Sequence, residues 1–181
     1  MIITAQELKR YVTTDEEDSG LEARLSALEL LIRAYTHNNF QQRAVRRMAD
    51  IVGHIIIMDA LQPFNVGDTV QVTSSHFNEG LYTVTEAEDS TITIKEDTYD
   101  EDDVIVTKVV YPMDVKMGVV NLMKWELERR EKVGVASETI SRHSVTYESM
   151  TDDNSIMGYP KTLMGFLKPY RRARFGQGVR P

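Results

Sequence analysis

Thr69-Val70-Gln71-Val72-Thr73, Leu81-Tyr82-Thr83-Val84-Thr85 and Thr91-Ile92-Thr93-Ile94-Lys95 decide the fold class. In each run apolar and polar residues alternate. A strand sends successive side chains to opposite faces, so each run predicts a half-buried strand. Val66-Gly67-Asp68 and Asn78-Glu79-Gly80 read as turns and Asp89-Ser90 as a tight one, because Gly, Asn and Asp tolerate the backbone angles that turns demand. Val104 to Val110 adds a last strand. Short strands at this spacing predict a small barrel or curled sheet, since closure removes the unpaired edges of a flat sheet.

Upstream, Gln41 to Leu61 reads two ways. Ala44, Met48, Ile51, Ile55 and Met58 fit a helical stripe, yet Ile55-Ile56-Ile57 is β-branched and Gly53 sits where a hairpin would turn. Two strands joined near Val52-Gly53 are the preferred reading. Before them, Thr4 with Glu7 three residues later forms a capping box that opens a short helix through Tyr11. A second helix follows from about Leu21 to His37. Leu21, Leu25, Leu28, Ile32 and Tyr35 recur at steps of three and four, so they line one face and form the expected core, and Asn38-Asn39 is the expected stop.

Downstream, Pro112 and Asp114 start a third helix to about Lys132, with Val115, Val119, Leu122, Met123 and Leu127 on its buried face. Lys124/Glu128 and Glu126/Arg130 stand four residues apart on its wet side. Ser144 to Tyr147 alternates as a strand would. Pro160 is expected to open a last short helix with Leu163, Phe166, Leu167 and Tyr170 on one face, ended or kinked by Pro169. The reading is therefore α+β. Residues 1–40 and 111–167 form one discontinuous helical core of about four helices, residues 41–110 a small antiparallel, SH3-like barrel insertion, and residues 168–181 an extended basic arm.

Hydrophobic residues make up 41% of the 181 residues and charged residues 27%, which suits a soluble globular chain. Cysteine is absent, which excludes disulfides, thiolate metal sites and cysteine nucleophiles. No signal peptide is read at the amino terminus, and the longest apolar run, His54 to Met58, falls far short of the roughly 20 residues a membrane helix needs. The net charge of −7 is unevenly spread. Between Phe64 and Val110 only Lys95 and Lys108 oppose Asp68, Glu79, Glu86, Glu88, Asp89, Glu96, Asp97, Asp100, Glu101, Asp102 and Asp103. After Asp153 there is no acid, while Lys168, Arg171, Arg172, Arg174 and Arg180 accumulate.

The residues point to no enzyme, metal or cofactor. His37, His54, His76 and His143 are scattered without metal-ligand spacing, and neither a phosphate-binding glycine loop nor a nucleophile elbow is present. The acidic run from Asp97 to Asp103 lacks the spacing of a calcium loop and reads as a solvated loop, or as channel-lining charge that repels DNA. Gly67-Asp68 and Asn78 to Tyr82 are similar to small barrel modules that bind RNA or peptides, although the module's negative charge opposes phosphate. The strongest binding candidate is Leu167, Lys168, Pro169, Tyr170, Arg171, Arg172, Arg174 and Phe175, because aromatic anchors beside arginines typify binding hot spots.

Four segments carry a family resemblance: Arg33-Ala34-Tyr35-Thr36-His37-Asn38-Asn39-Phe40, Tyr111 to Val115, Gly134 to Tyr147, and Gly158 to Leu163 continuing through Leu167 to Arg172. In this order and spacing the chain resembles the head-tail connector (portal adaptor, or head-completion) proteins of long-tailed phages. The barrel insertion looks like that of the longer members, from phages or prophages of Gram-positive bacteria. The resemblance implies a structural subunit of the virion neck, assembled in the bacterial cytoplasm. It implies a closed ring of about twelve copies on the portal, with DNA passing through without sequence-specific contact. It also implies that the carboxy-terminal arm docks into the portal and that the ring offers a platform to the next neck or tail protein. The alternative left open is a barrel module with a basic tail that binds nucleic acid or peptides.

Overall fold

The alternating runs become a closed, wholly antiparallel six-stranded barrel in the computed structural model, which describes residues 1–129, 137–140, 143–146 and 153–173. Its strands are β1 (Gln41–Val52), β2 (Ile55–Ile57), β3 (Thr69–Thr73), β4 (Gly80–Glu88), β5 (Thr91–Ile94) and β6 (Glu101–Val109), and they follow one another around the barrel as β1-β2-β5-β4-β3-β6. The register places inward side chains opposite one another. Ile51 faces Ile56, Ile56 faces Ile92, Ile92 faces Ala87, and across β3 and β6 Val72 faces Val106. Ile51, Ile56, Val70, Val72, Val104 and Val106 are fully buried there. A slip of one residue would turn each such row towards water, so the pattern fixes the pairing. Irregularities in the β1–β6 register between Gln41 and Arg46 and between Ala49 and Ile51 bend the long first strand, which helps a small sheet close on itself.

The ambiguous stretch is thus two strands, with Gly53 at a positive φ of 58° in the turn between them. Ala44 and Met48, two members of the competing helical stripe, are exposed.

The chain divides into two units: residues 39–111 with Met1, which is the barrel, and residues 2–38 with 112–181. In the second unit, α1 (Ala5–Leu8) is capped by Thr4, whose Oγ1 accepts the Glu7 N–H at 3.1 Å. Helix α2 (Asp18–Thr36) buries Leu21, Leu25, Leu28 and Ile32, and α3 (Met113–Arg129) buries Val115, Val119, Leu122 and Met123. Short strands β7 (Ser137–Ile140) and β8 (His143–Thr146) pair, as do β9 (Ser155–Ile156) and β10 (Tyr159–Pro160). A 3₁₀ helix, Gly165–Tyr170, follows.

Several expectations need correction. His37, not Asn38-Asn39, takes the left-handed cap of α2 (φ 50°), while Asn38 is buried and bonded elsewhere. Pro160 does not open a helix: it pairs with Ser155 in β10, and helical turns begin only beyond it. Tyr35 and Leu163 are half-buried rather than central. Tyr35 lies in the last turn of α2 with the Arg171 guanidinium 5.0 Å above its ring, and Met164 and Leu167 fill the place expected of Leu163.

Candidate functional site

Two surfaces stand out, one in each unit. The first is the predicted arm. Leu167 is completely buried within the helical unit, while Lys168 and Pro169 are exposed. Tyr170 is half-buried, and its hydroxyl donates to the Asp114 carboxylate at 2.7 and 2.8 Å. Its carbonyl accepts from Asn38 Nδ2 at 3.3 Å, and the Arg172 N–H donates to the Thr36 carbonyl at 2.8 Å. The hydrogen bond that the Asp114 carboxylate accepts from the Tyr170 phenol, then burial, then the negative charge of Asp114, raise that phenol above its ordinary pKa. The chain through Arg172 is therefore held to its own helices. Of the extended arm expected over residues 168–181, Tyr170 and Arg172 are thus hydrogen-bonded to α2 and α3, while Leu167 lies in the core of the helical unit. Arg174 and Phe175 lie outside the described residues.

The second surface is at one end of the barrel, where the loop before β4 meets the loop before β6. Asn78 is buried and joins the two. Its Nδ2 donates to the Tyr99 carbonyl and to Glu101 Oε2, both at 2.9 Å, and its Oδ1 accepts the Tyr99 N–H at 2.9 Å. The Tyr82 hydroxyl donates to the Asn78 carbonyl at 2.9 Å. Glu101 completes the lock by accepting from the Ser75 hydroxyl and from the His76 N–H, each at 2.5 Å. The Ser75 hydroxyl above all, then the backbone N–H of His76, hold the Glu101 carboxyl below its ordinary pKa. On the opposite flank the Gly53 N–H donates to Asp100 Oδ1 at 2.8 Å, and the Thr98 hydroxyl donates to the Gly53 carbonyl. These bonds present Phe77 and Tyr99 to solvent, 72% and 69% exposed, with ring centres 5.8 Å apart and planes at 57°. An open hollow of about 870 Å³ lies beside them, lined by His76, Phe77, Thr98, Tyr99 and Asp100.

No model of a known protein family matches this chain, and no curated protein matches it.

Three of the four resemblance segments are joined by hydrogen bonds. Asn38 from the first, Asp114 from the second and Tyr170 from the fourth share one hydrogen-bonded junction, and Phe40 and Tyr111 stack with ring centres 4.8 Å apart. Of the third segment, only residues 137–140 and 143–146 are described, as a hairpin. Among the described residues no group of three or more His, Asp or Glu is placed to hold a metal ion, and no helix is long and apolar enough to cross a membrane. His54 Nδ1 lies 3.4 Å from Asp97, and His37 serves as the α2 cap.

Sequence reasoning singled out Asn78 to Tyr82, as a turn or as similar to a peptide- or RNA-binding barrel module, but missed the paired rings beside it. Phe77 and Tyr99 stand alone in polar runs, and Glu101 read as one acid among several. The one available signal was two isolated aromatics in loops flanking the same strands.

Proposed function

We propose that the protein is a structural subunit of a phage or prophage neck, a head-to-tail connector that assembles as a ring on the portal. The observation that carries this reading is the Tyr170 junction. Three separated segments through which the chain resembles connector proteins converge on it, each contributing a hydrogen-bonding group. In this reading the junction fixes the root of the carboxy-terminal tail, and the residues beyond Ala173, with Arg174, Phe175 and Arg180, dock into the portal. Repetition of this contact around a ring strengthens it by avidity.

The test is native mass spectrometry of the chain mixed with the portal protein encoded by the same genome. The expected product carries about twelve copies, since a head-to-tail interface closes into a ring at one rotation. Truncation after Ala173, which spares Leu167 and the Tyr170 junction, should leave a folded chain that no longer joins the portal. Full-strength joining by the truncated chain would remove the tail from the mechanism, and the lack of any portal complex would sink the connector reading. A second reading, a barrel module that binds peptides, is favoured by the exposed Phe77 and Tyr99 rings.

A further inference from the structure

Phe77 and Tyr99 are large side chains left in water on backbone that is unusually well tied down. Asn78, Ser75 and Glu101 fix the two loops through side-chain hydrogen bonds, so the rings are positioned before anything binds. Aromatic side chains on such a scaffold give contact area at low ordering cost.

The surrounding charge selects what they would contact. Asp97 is almost fully solvent-exposed at its side chain, and Asp100, which lines the hollow, Glu96 and Glu79 are exposed as well. Against these four carboxylates the same two loops carry a single lysine, Lys95, so a phosphate-bearing ligand would meet net negative charge, which disfavours nucleic acid and anionic membrane. A guanidinium satisfies both features at once: it lies flat on an aromatic face and donates to carboxylates. Phe77 and Glu79 lie in the loop before β4, and Glu96, Asp97, Tyr99 and Asp100 in the loop before β6, so an extended segment that crosses both loops would meet rings and acids together.

We propose that this end of the barrel is a docking site for an extended, arginine-bearing segment of a partner protein, with Phe77 and Tyr99 receiving the guanidinium or its stem and Asp97 and Asp100 balancing its charge. This goes beyond the connector reading and does not rest on it, because the surface belongs to the barrel whether or not the chain forms a ring.

The experiment uses the full chain and a fluorescein-labelled, end-capped peptide of alternating glycine and arginine, followed by anisotropy. A matched peptide with glutamine for arginine is the control. The arginine peptide is expected to bind and the glutamine peptide not. The Phe77→Ala/Tyr99→Ala double variant should weaken binding by about tenfold or more, as loss of anchoring aromatics does. Asp97→Lys is the second variant. It changes a side chain that stands almost wholly in water, so folding is preserved, and it should also weaken binding and reduce its salt dependence. Equal binding of the glutamine peptide, undiminished binding by the aromatic double variant, or no binding by the unmodified chain would each overturn the proposal. So would tighter binding of a single-stranded oligonucleotide, which would make nucleic acid the occupant. Concentration-dependent self-association abolished by the double variant would overturn it too, by assigning the surface to a second copy.

Discussion

At Asn78 one side-chain amide satisfies backbone groups of a loop more than twenty residues away while its own backbone carbonyl takes the Tyr82 hydroxyl. Buried and hydrogen-bonded through both its amide atoms, it cannot be replaced by an apolar side chain without stranding those partners. Asn78→Ala leaves the Tyr99 N–H and carbonyl without their partner, and should destabilise the barrel by about 1–3 kcal/mol in urea unfolding. Asn78→Asp should be worse at neutral pH, since it sets a second carboxylate beside Glu101 and removes the donor. Glu101 itself predicts a pH dependence. Its folded pKa is lowered by the Ser75 hydroxyl and the His76 N–H, so the fold favours the ionised form. Its contribution is present above the unfolded carboxylate value, about 4.3, and is lost as pH falls through the lower folded value. Thermal unfolding between neutral pH and pH 3 should show this loss. Glu101→Gln should be less stable at neutral pH and should fall less steeply on acidification. An acid limb unchanged in the Gln variant would show that Glu101 is not the group responsible.

Helix α3 and the 3₁₀ helix after β10 meet where Gly118 faces Phe166. Gly118 is buried, and a methyl group there would overlap the edge of the Phe166 ring. In an open helix Gly→Ala would gain about 1 kcal/mol. Here overpacking at about 1–3 kcal/mol outweighs that gain, so Gly118→Ala should lower stability. Adding Phe166→Leu should restore part of the loss, and a double-mutant cycle by chemical denaturation measures the coupling. A stabilised Gly118→Ala would show that the ring moves aside freely. At this same scale lies the boundary of what the residues disclose in advance. Strands β3 and β5 were legible because one face is buried and the other wet, which leaves a period of two. The α2 stripe was legible for the same reason at a period of three to four. Strand β1 was legible only as the preferred of two readings, because Ala44, Met48 and Ile51 satisfy a helical period by coincidence, and pairing with β6 and the turn at Gly53 decide between them. The 3₁₀ helix and β10 are set by tertiary partners, so Pro160 misled. The barrel-end surface was hidden because its bonds link residues 21 to 26 positions apart, and such links leave no local pattern.

Across the whole molecule the barrel enters and leaves the chain at one place. Gln41 pairs with Val109, the Val110 N–H donates to the Phe40 carbonyl at 2.9 Å, and the Phe40 and Tyr111 rings stack. Antiparallel partners stand about 5 Å apart, a gap that two or three residues bridge. The barrel also has its own buried core and no open edge, since its six strands close. Both conditions for an autonomous insertion are therefore met. Replacing residues 41–109 by a short Gly-Ser linker should leave the helical unit folded, because α2, α3 and the 3₁₀ helix contact one another within that unit. Residues 39–111 expressed alone should unfold in a single cooperative transition with β-type circular dichroism. Under the connector reading the two pieces then separate two activities. The barrel-less chain should still join the portal through its tail, and the isolated barrel should still bind the arginine peptide while joining no portal. If the barrel-less chain folds but fails to join the portal, the ring contacts belong to the barrel, and the division of labour drawn here between helices and strands is wrong.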